Sequence, residues 1–165
     1  MTEEFFKQDR FSHAILLNSS IDDVFKLIAT SEGICKWFMG TAKNIALNGK
    51  ERNNIEIVQT SDEYEWQWLK KNLKLKGRIL EVKNPNIIRF TFSPLYIVTI
   101  NLSEDNNRVK LILEQECTKD FNGDSFNYFN CCVCWVFFLT NLKSVIENGI
   151  DLRETEIIDE MLINQ

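Results

Sequence analysis

The sequence predicts an α+β domain. A curved antiparallel sheet of about six or seven strands wraps a long C-terminal helix, and two short helices follow the first strand. Three observations predict it. Apolar residues recur with period two through most of residues 41–117, with turn residues but no helical stretch between the runs, the pattern of hairpins in series. A long helical pattern from Asp124 to Asn148 closes the domain and stops at Gly149, a residue suited to the left-handed position after a helix. Two short helical patterns stand directly after the first strand.

Phe11, His13, Ile15 and Leu17 alternate with more polar neighbours and give the first strand. Ser20 is placed to cap a helix, with Asp23 completing a capping-box-like start and Ile21, Val24, Phe25 and Ile28 at helical spacing. A second short helix is expected over Glu32–Trp37. Ile45 with Leu47, then Ile55 with Ile57, predict two short strands joined near Asn48-Gly49. Trp66 and Trp68 share one strand face. Leu73, Leu75, Gly77 and Ile79 share a face of the next strand, with Lys74, Lys76 and Arg78 opposite. Asn84-Pro85-Asn86 turns the chain into Ile88, Phe90 and Phe92. Ser93-Pro94 breaks that run, and Tyr96, Val98, Ile100 and Leu102 resume it. Beyond the turn at Glu104-Asp105-Asn106-Asn107, Val109, Leu111, Leu113 and Gln115 form the inner face of the last strand.

On the long helix, Tyr128, Cys131, Cys132, Trp135, Phe138, Leu139, Leu142, Val145 and Ile146 share the face that must lie on the sheet. Phe129, Val133, Val136 and Phe137 lie opposite and need a second apolar partner. A homodimer through that face is one cover. The other is the C-terminal segment, where Ile157, Ile158, Met161 and Leu162 make a short amphipathic pattern.

The 165 residues fit one domain, 1–165, and with 2 Pro and 6 Gly nothing marks a linker. The net charge of −5 argues against non-specific nucleic-acid binding. The N-terminal MTEEFFKQDR lacks an apolar signal core, and the run Cys131–Leu139 is shorter than the ~20 residues of a membrane span. Five cysteines, three of them clustered, suggest a reducing, cytoplasmic location.

Candidate chemistry is sparse. His13, the only histidine, is expected to be a partly buried, hydrogen-bonded strand residue rather than a general base. Cys131, Cys132 and Cys134 lack the second cysteine pair or nearby histidine that a tetrahedral zinc site needs, so no metal is expected. Glu114 and Glu116 alternate with inward residues and face solvent, which excludes a paired-carboxylate site. No phosphate-binding glycine loop or nucleophile elbow is present, and no cofactor is expected. Lys70, Lys71, Lys74, Lys76 and Arg78 form a basic cluster that either docks an acidic protein partner, through Lys74, Lys76 and Arg78 above all, or is a solvated face.

In Trp37-Phe38, Trp66-Gln67-Trp68, Lys76-Gly77-Arg78-Ile79, Phe90-Thr91-Phe92 and the stretch from Asn141-Leu142-Lys143-Ser144 to Gly149-Ile150-Asp151-Leu152-Arg153, nearly the whole chain resembles the START-like superfamily. That superfamily (SRPBCC) also holds polyketide cyclases and the birch-pollen allergens. Within it, the chain resembles the family related to the activator of heat-shock-protein-90 ATPase. The resemblance implies a helix-grip fold with a hydrophobic cavity between sheet and long helix, and no single activity. Many members carry Gly before the long helix's Trp. Here Cys134 stands there, placing a larger side chain where helix and sheet come close.

Two readings follow. In the first, a non-catalytic module holds a small hydrophobic or amphipathic ligand in a cavity lined by Trp37, Phe38, Trp66, Trp68, Phe90, Phe92, Tyr96, Gln115, Cys131, Trp135 and Leu139. In the second, those rings fill a solid core and the protein acts through its surface, like a chaperone ATPase activator. A cyclase-type enzyme ranks below both, because no acid–base pair can be placed inside. One expectation is already testable: thiol titration of denatured, unreduced protein should recover all five cysteines, and a deficit of two would reveal a disulfide.

Overall fold

The computed structural model describes residues 9–70, 72–118 and 125–156. Strand β1 (Arg10–Leu17) leads into helices α1 (Ile21–Ala29) and α2 (Ser31–Trp37). Strands β2 (Thr41–Ile45), β3 (Glu63–Gln67), β4 (Lys74–Lys83), β5 (Ile87–Phe92), β6 (Tyr96–Asp105) and β7 (Arg108–Cys117) follow, then helix α3 (Ser125–Asn148). All pairings are antiparallel, in the order β1-β7-β6-β5-β4-β3-β2. The meander runs from β2 to β7, and β1 returns to pair with its last strand. This is the helix-grip architecture that the hairpin pattern and the long helix predict.

Local chemistry explains the start. The Ser20 hydroxyl oxygen accepts the Asp23 N–H at 3.2 Å and donates to the Asp23 carboxylate at 2.7 Å, which begins α1. Thr30 serves both helices. Its Oγ1 donates to the Lys26 carbonyl of α1 at 2.8 Å and accepts the Gly33 N–H of α2 at 2.9 Å. A Cβ on Gly33 would stand 2.3 Å from the Lys26 carbonyl oxygen, so the two helices turn this sharply only around a glycine.

The expected strand through Ile55 and Ile57 does not form. Residues 46–62 are a loop in which only Ile45 and Glu51 bridge beyond the Asn48-Gly49 turn. The Asn53 side chain takes the Ile55 N–H at 3.3 Å and its carbonyl takes the Glu56 N–H at 2.9 Å, so local turns displace the ladder. Ile55 is 69% exposed and Leu47 84%, so neither anchors a register. The loop is instead tied down by Arg52, which pairs with the buried carboxylate of Asp62 and with Glu56.

Inside the sheet the predicted alternation holds except at Leu73, which precedes β4 and is 55% exposed, and at a register shift between Ile79 and Glu81. Ile79, Ile88, Phe90, Val98, Ile100, Leu102, Val109, Leu111, Leu113 and Gln115 are buried, beneath Trp135, Phe138, Leu139 and Leu142 of α3. On the far side of α3, Phe129, Val133 and Val136 are exposed, whereas Phe137, expected on the same far face, is half-buried against the core. By length and composition Tyr128–Asn148 is apolar enough to cross a membrane, with a mean hydropathy of 1.5, so the run Cys131–Leu139 understates it. Its buried Asn141 and its packing on the sheet make it the helix the sheet grips. The expected C-terminal amphipathic segment, Ile157 to Leu162, lies outside the described residues, as does Lys71 of the basic cluster.

The grip is closed by a polar lock. Helix α2 ends with main-chain carbonyls that no intrahelical donor reaches. The Arg153 guanidinium, 8% exposed, donates to Cys35 O at 2.8 Å and Met39 O at 2.9 Å, and Asn141 Nδ2 of α3 donates to Trp37 O at 2.8 Å. Asp151 sits between them, accepting from Arg153 Nε and Nη2 and from Asn141, whose Oδ1 in turn accepts the Leu152 N–H at 2.7 Å. Gly149, at φ 69°, donates to Val145 O and turns the chain off α3 toward this lock.

Burial alone would raise the Asp151 carboxyl, but hydrogen bonds from Arg153 and Asn141 outweigh it and hold it below the usual aspartate range. A depressed folded-state pKa adds stability that is full above the unfolded value of about 3.9 and is lost as pH falls through the lower folded value. Asp151→Asn should therefore flatten the acid limb of a stability–pH profile below about pH 4. Arg153→Ala should cost roughly 3–5 kcal/mol in chemical denaturation, because α2's carbonyls and Asp151 lose their partner. Arg153→Lys should recover less than half, since an ammonium cannot span two carbonyls and a carboxylate.

Candidate functional site

The space between sheet and α3 is where the predicted cavity residues converge, and Phe38 stands at its centre. It follows α2 directly, so the polar lock sets its position. Its ring stacks on Trp37 (5.2 Å between centroids) and Phe92 (6.3 Å), and lies 4.8 Å from both Trp135 and Phe138. Trp66 at 6.1 Å and Trp68 at 5.4 Å meet it edge-on. Six rings, from α2, α3, β3 with the residue just after it, and β5, thus enclose one phenyl group, and the interior here is occupied by side chains.

The other predicted residues arrange around this cluster. Trp37 is buried, but it faces α1, where its Nε1 donates to Leu27 O at 3.0 Å. Phe90 supports Trp66 at 5.4 Å, and Leu139 is buried beside Phe138 in the core. Tyr96 is buried at the start of β6, outside the main apolar cluster. Trp68 and Phe92 are half-buried at the rim. Gln115, 2% exposed, accepts from Trp135 Nε1 at 2.8 Å and so fixes the ring of the long helix to the sheet. Cys131 is half-buried near Gln115, and burial pushes its thiol up. Cys134, in place of glycine, turns along its own helix toward Asn130 Oδ1 at 3.8 Å.

Two buried donors break the apolar pattern: Trp66 Nε1 has no hydrogen-bond acceptor among the described residues, and Gln115 Nε2 has only the Cys131 thiol near it. An unsatisfied buried N–H costs about 1–3 kcal/mol, so both mark places where an acceptor would be welcome. Sequence reasoning also missed Tyr64. Its ring crosses Gly77 in the β3–β4 register and its hydroxyl donates to Thr91 O. A Cβ on Gly77 would stand 2.5 Å from that ring. Burial pushes the Tyr64 hydroxyl up, so it stays a protonated donor. The alternation Glu63-Tyr64-Glu65-Trp66 carried this signal, since it puts Tyr64 on the face of Trp66.

The remaining candidates lie apart. His13, half-buried on β1, has Nε2 3.0 Å from Cys132 O and 3.6 Å from its thiol. Burial raises the Cys132 thiol, which leaves it protonated at neutral pH. Among the described residues no group of three or more His, Cys, Asp or Glu could hold a metal ion. Glu114 is exposed, and Glu116 pairs with Arg89 at 2.8 Å. The basic cluster is met across the sheet by acids: Lys74 and Lys76 bond Glu65 at 3.1 and 2.8 Å, and Arg78 bonds Glu63 at 3.3 Å. Hydrogen bonds from Lys76 and Lys74 pull the Glu65 carboxyl down to about 2. The face is exposed but locally balanced, so it offers an acidic partner little unpaired charge.

If the interior is close-packed, Trp135→Ala should cost roughly 3–5 kcal/mol by urea denaturation. Trp66→Phe removes an unpartnered N–H along with ring volume and should change stability by less than about 1 kcal/mol. Trp135→Phe should cost more than Trp66→Phe, because it also strips Gln115 of its donor.

The model of the family described as Activator of Hsp90 ATPase homolog 1-like protein matches residues 18–147. No protein with a curated description matches. Solved structures share the fold. A protein of Staphylococcus saprophyticus superposes with a TM-score of 0.70 at 18% identity, covering 88% of this chain and 97% of its own. The Aha1 dimer of Colwellia psychrerythraea gives 0.65 at 12% identity, covering 85% and 97%. CalU16 of Micromonospora echinospora gives 0.62 at 16% identity, covering 87% and 77%.

Proposed function

The chain belongs to the family of Activator of Hsp90 ATPase homolog 1-like proteins, and from that premise we propose that it is a filled-core interaction module that works through protein–protein contact. The observation that carries this reading is the packing of Phe38. A container for a ligand needs an open interior of some hundreds of Å³, and six aromatic rings stand where that volume would be. Outside, the same long helix exposes Phe129, Val133 and Val136 at 62%, 64% and 51%. An apolar stripe of that kind marks a contact surface more often than an idle one. The family's name attaches to an activator of a chaperone ATPase, and the Colwellia relative is a dimer, so both a chaperone and a second copy are partners of the right class. A reducing, cytoplasmic setting completes the proposal and is supported by five cysteines, none of them joined in a disulfide.

A second reading has its own support. Trp66 Nε1 and Gln115 Nε2 would each welcome an acceptor. A small apolar molecule carrying a carbonyl or hydroxyl could supply one if Phe38 or Phe92 changed rotamer, and the protein would then be a non-catalytic carrier. Native mass spectrometry of the protein as purified from cells separates the two. The filled-core reading expects the mass of the polypeptide alone in each protomer. A small molecule retained at near-stoichiometric occupancy, and released by Trp135→Ala, would replace it with the carrier.

A further inference from the structure

We propose that the free edge of β1 and the exposed stripe of α3 together form one docking ledge, and that a second copy of this chain occupies it by two-fold antiparallel pairing of β1 with β1. The inference rests on the surface-acting reading and names the surface and the partner.

In an antiparallel strand the main-chain groups of successive residues point to opposite sides. Asp9 O accepts from Cys117 N at 2.7 Å and so points toward β7. Arg10 O points the other way, where the Tyr128 hydroxyl of α3 donates to it at 3.1 Å. Leu16 O does the same and takes Lys143 Nζ at 2.6 Å. Between these caps, Ser12 and Ala14 turn their N–H and C=O to the same free edge, where they have no partner among the described residues. Both side chains are small, uncharged and exposed.

The register with β7 is unbroken from Arg10 to Leu17, with no bulge and no proline. Edges of this kind invite pairing, and proteins normally blunt them with charge, bulges or cover. The opposite edge, β2, is blunted: it has five residues, carries Lys43 and is bridged by Glu51.

The helix stripe lies beside this edge. Cys132 O is bound by His13 Nε2, and Tyr128 and Lys143 reach β1 from either side of it, so α3 runs along β1. Phe129 and Val133 follow Tyr128 and Cys132 directly on the helix, and with Val136 they are exposed. Their exposed apolar surface is on the order of 300 Å², short of the ~800 Å² per partner of a standard interface. The strand edge supplies much of the difference. In a pair centred on His13, Ser12 of one protomer lies opposite Ala14 of its partner, twice, giving about four main-chain hydrogen bonds. The caps on Arg10 and Leu16 limit the ladder to that centre. The two helix stripes flank it on the same side of the joined sheet. Such an interface is self-complementary and closes at two copies.

Sedimentation velocity over a concentration series tests this, with hydrogen exchange at Ser12 and Ala14. Wild type should dimerise in the micromolar range. Ala14→Pro, which removes an N–H aimed at the free edge and not at β7, and Val133→Asp should each weaken the dimer at least tenfold while leaving thermal melts and circular dichroism unchanged. A dimer lost with Val133→Asp but intact with Ala14→Pro would overturn strand pairing while sparing the surface-acting reading. A monomer at every concentration would overturn the dimer itself. If in that monomer the Ser12 and Ala14 amides were protected until residues 157–165 were deleted, the chain's own C-terminal segment would be the occupant instead.

Discussion

The position of α2 against α3 depends on one cation. Arg153 lies beyond the long helix, yet its guanidinium ends α2 by taking the carbonyl of Cys35 in its last turn and that of Met39 just past its end. Asn141 takes a third from within α3, and Asp151 holds both donors in place. A buried guanidinium is tolerated only when its charge is paired and its donors are met, which this arrangement does. The residue that emerges from the end thus fixed is Phe38. Six rings of the interior pack directly on that phenyl group, so a polar contact at the rim bears on an apolar packing at the centre.

The sheet contributes the complementary constraint. Gln115 is a polar side chain on the inner face of β7, and it earns its place by accepting from Trp135. Ring and amide together set the height of α3 above the sheet. Where Gly77 removes a side chain, Tyr64 fills the gap and reaches across β4 to β5. Polar atoms in this core therefore act as spacers with defined partners, and Trp66 Nε1, which has none among the described residues, stands out against that background.

Much of this was legible in the residues alone. The strands from β4 to β7 were readable because one face of each is buried, which forces alternation along each strand apart from the register shift after Ile79 in β4. The stripe of α3 was readable for the same reason at helical period, except at Phe137, whose ring reaches round to the core. Ile55 and Ile57 misled because two apolar residues at period two resemble a strand, while Asn53 decides the local backbone. The lock was visible only as a motif: Asn141, Asp151 and Arg153 lie close in sequence, but the carbonyls they serve are 104 to 118 residues away. The aromatic set was found as a set, yet whether rings enclose a space or fill it is a matter of fractions of an ångström, which composition does not carry.

The strand order has a consequence for how the chain is made. Strand β1 leaves the ribosome before the rest of the sheet, its partner β7 is about a hundred residues behind it, and α2 must wait longer still for Arg153. At ~5–20 residues per second that interval is several seconds. During it an edge rich in Phe11, Ile15 and Leu17 has no sheet to join, and the α1–α2 hairpin has no core to cover. Topologies that close their earliest strand with their latest are slow to form and exposed while they do so. Nascent copies of this protein therefore carry these apolar side chains uncovered for the whole of that interval.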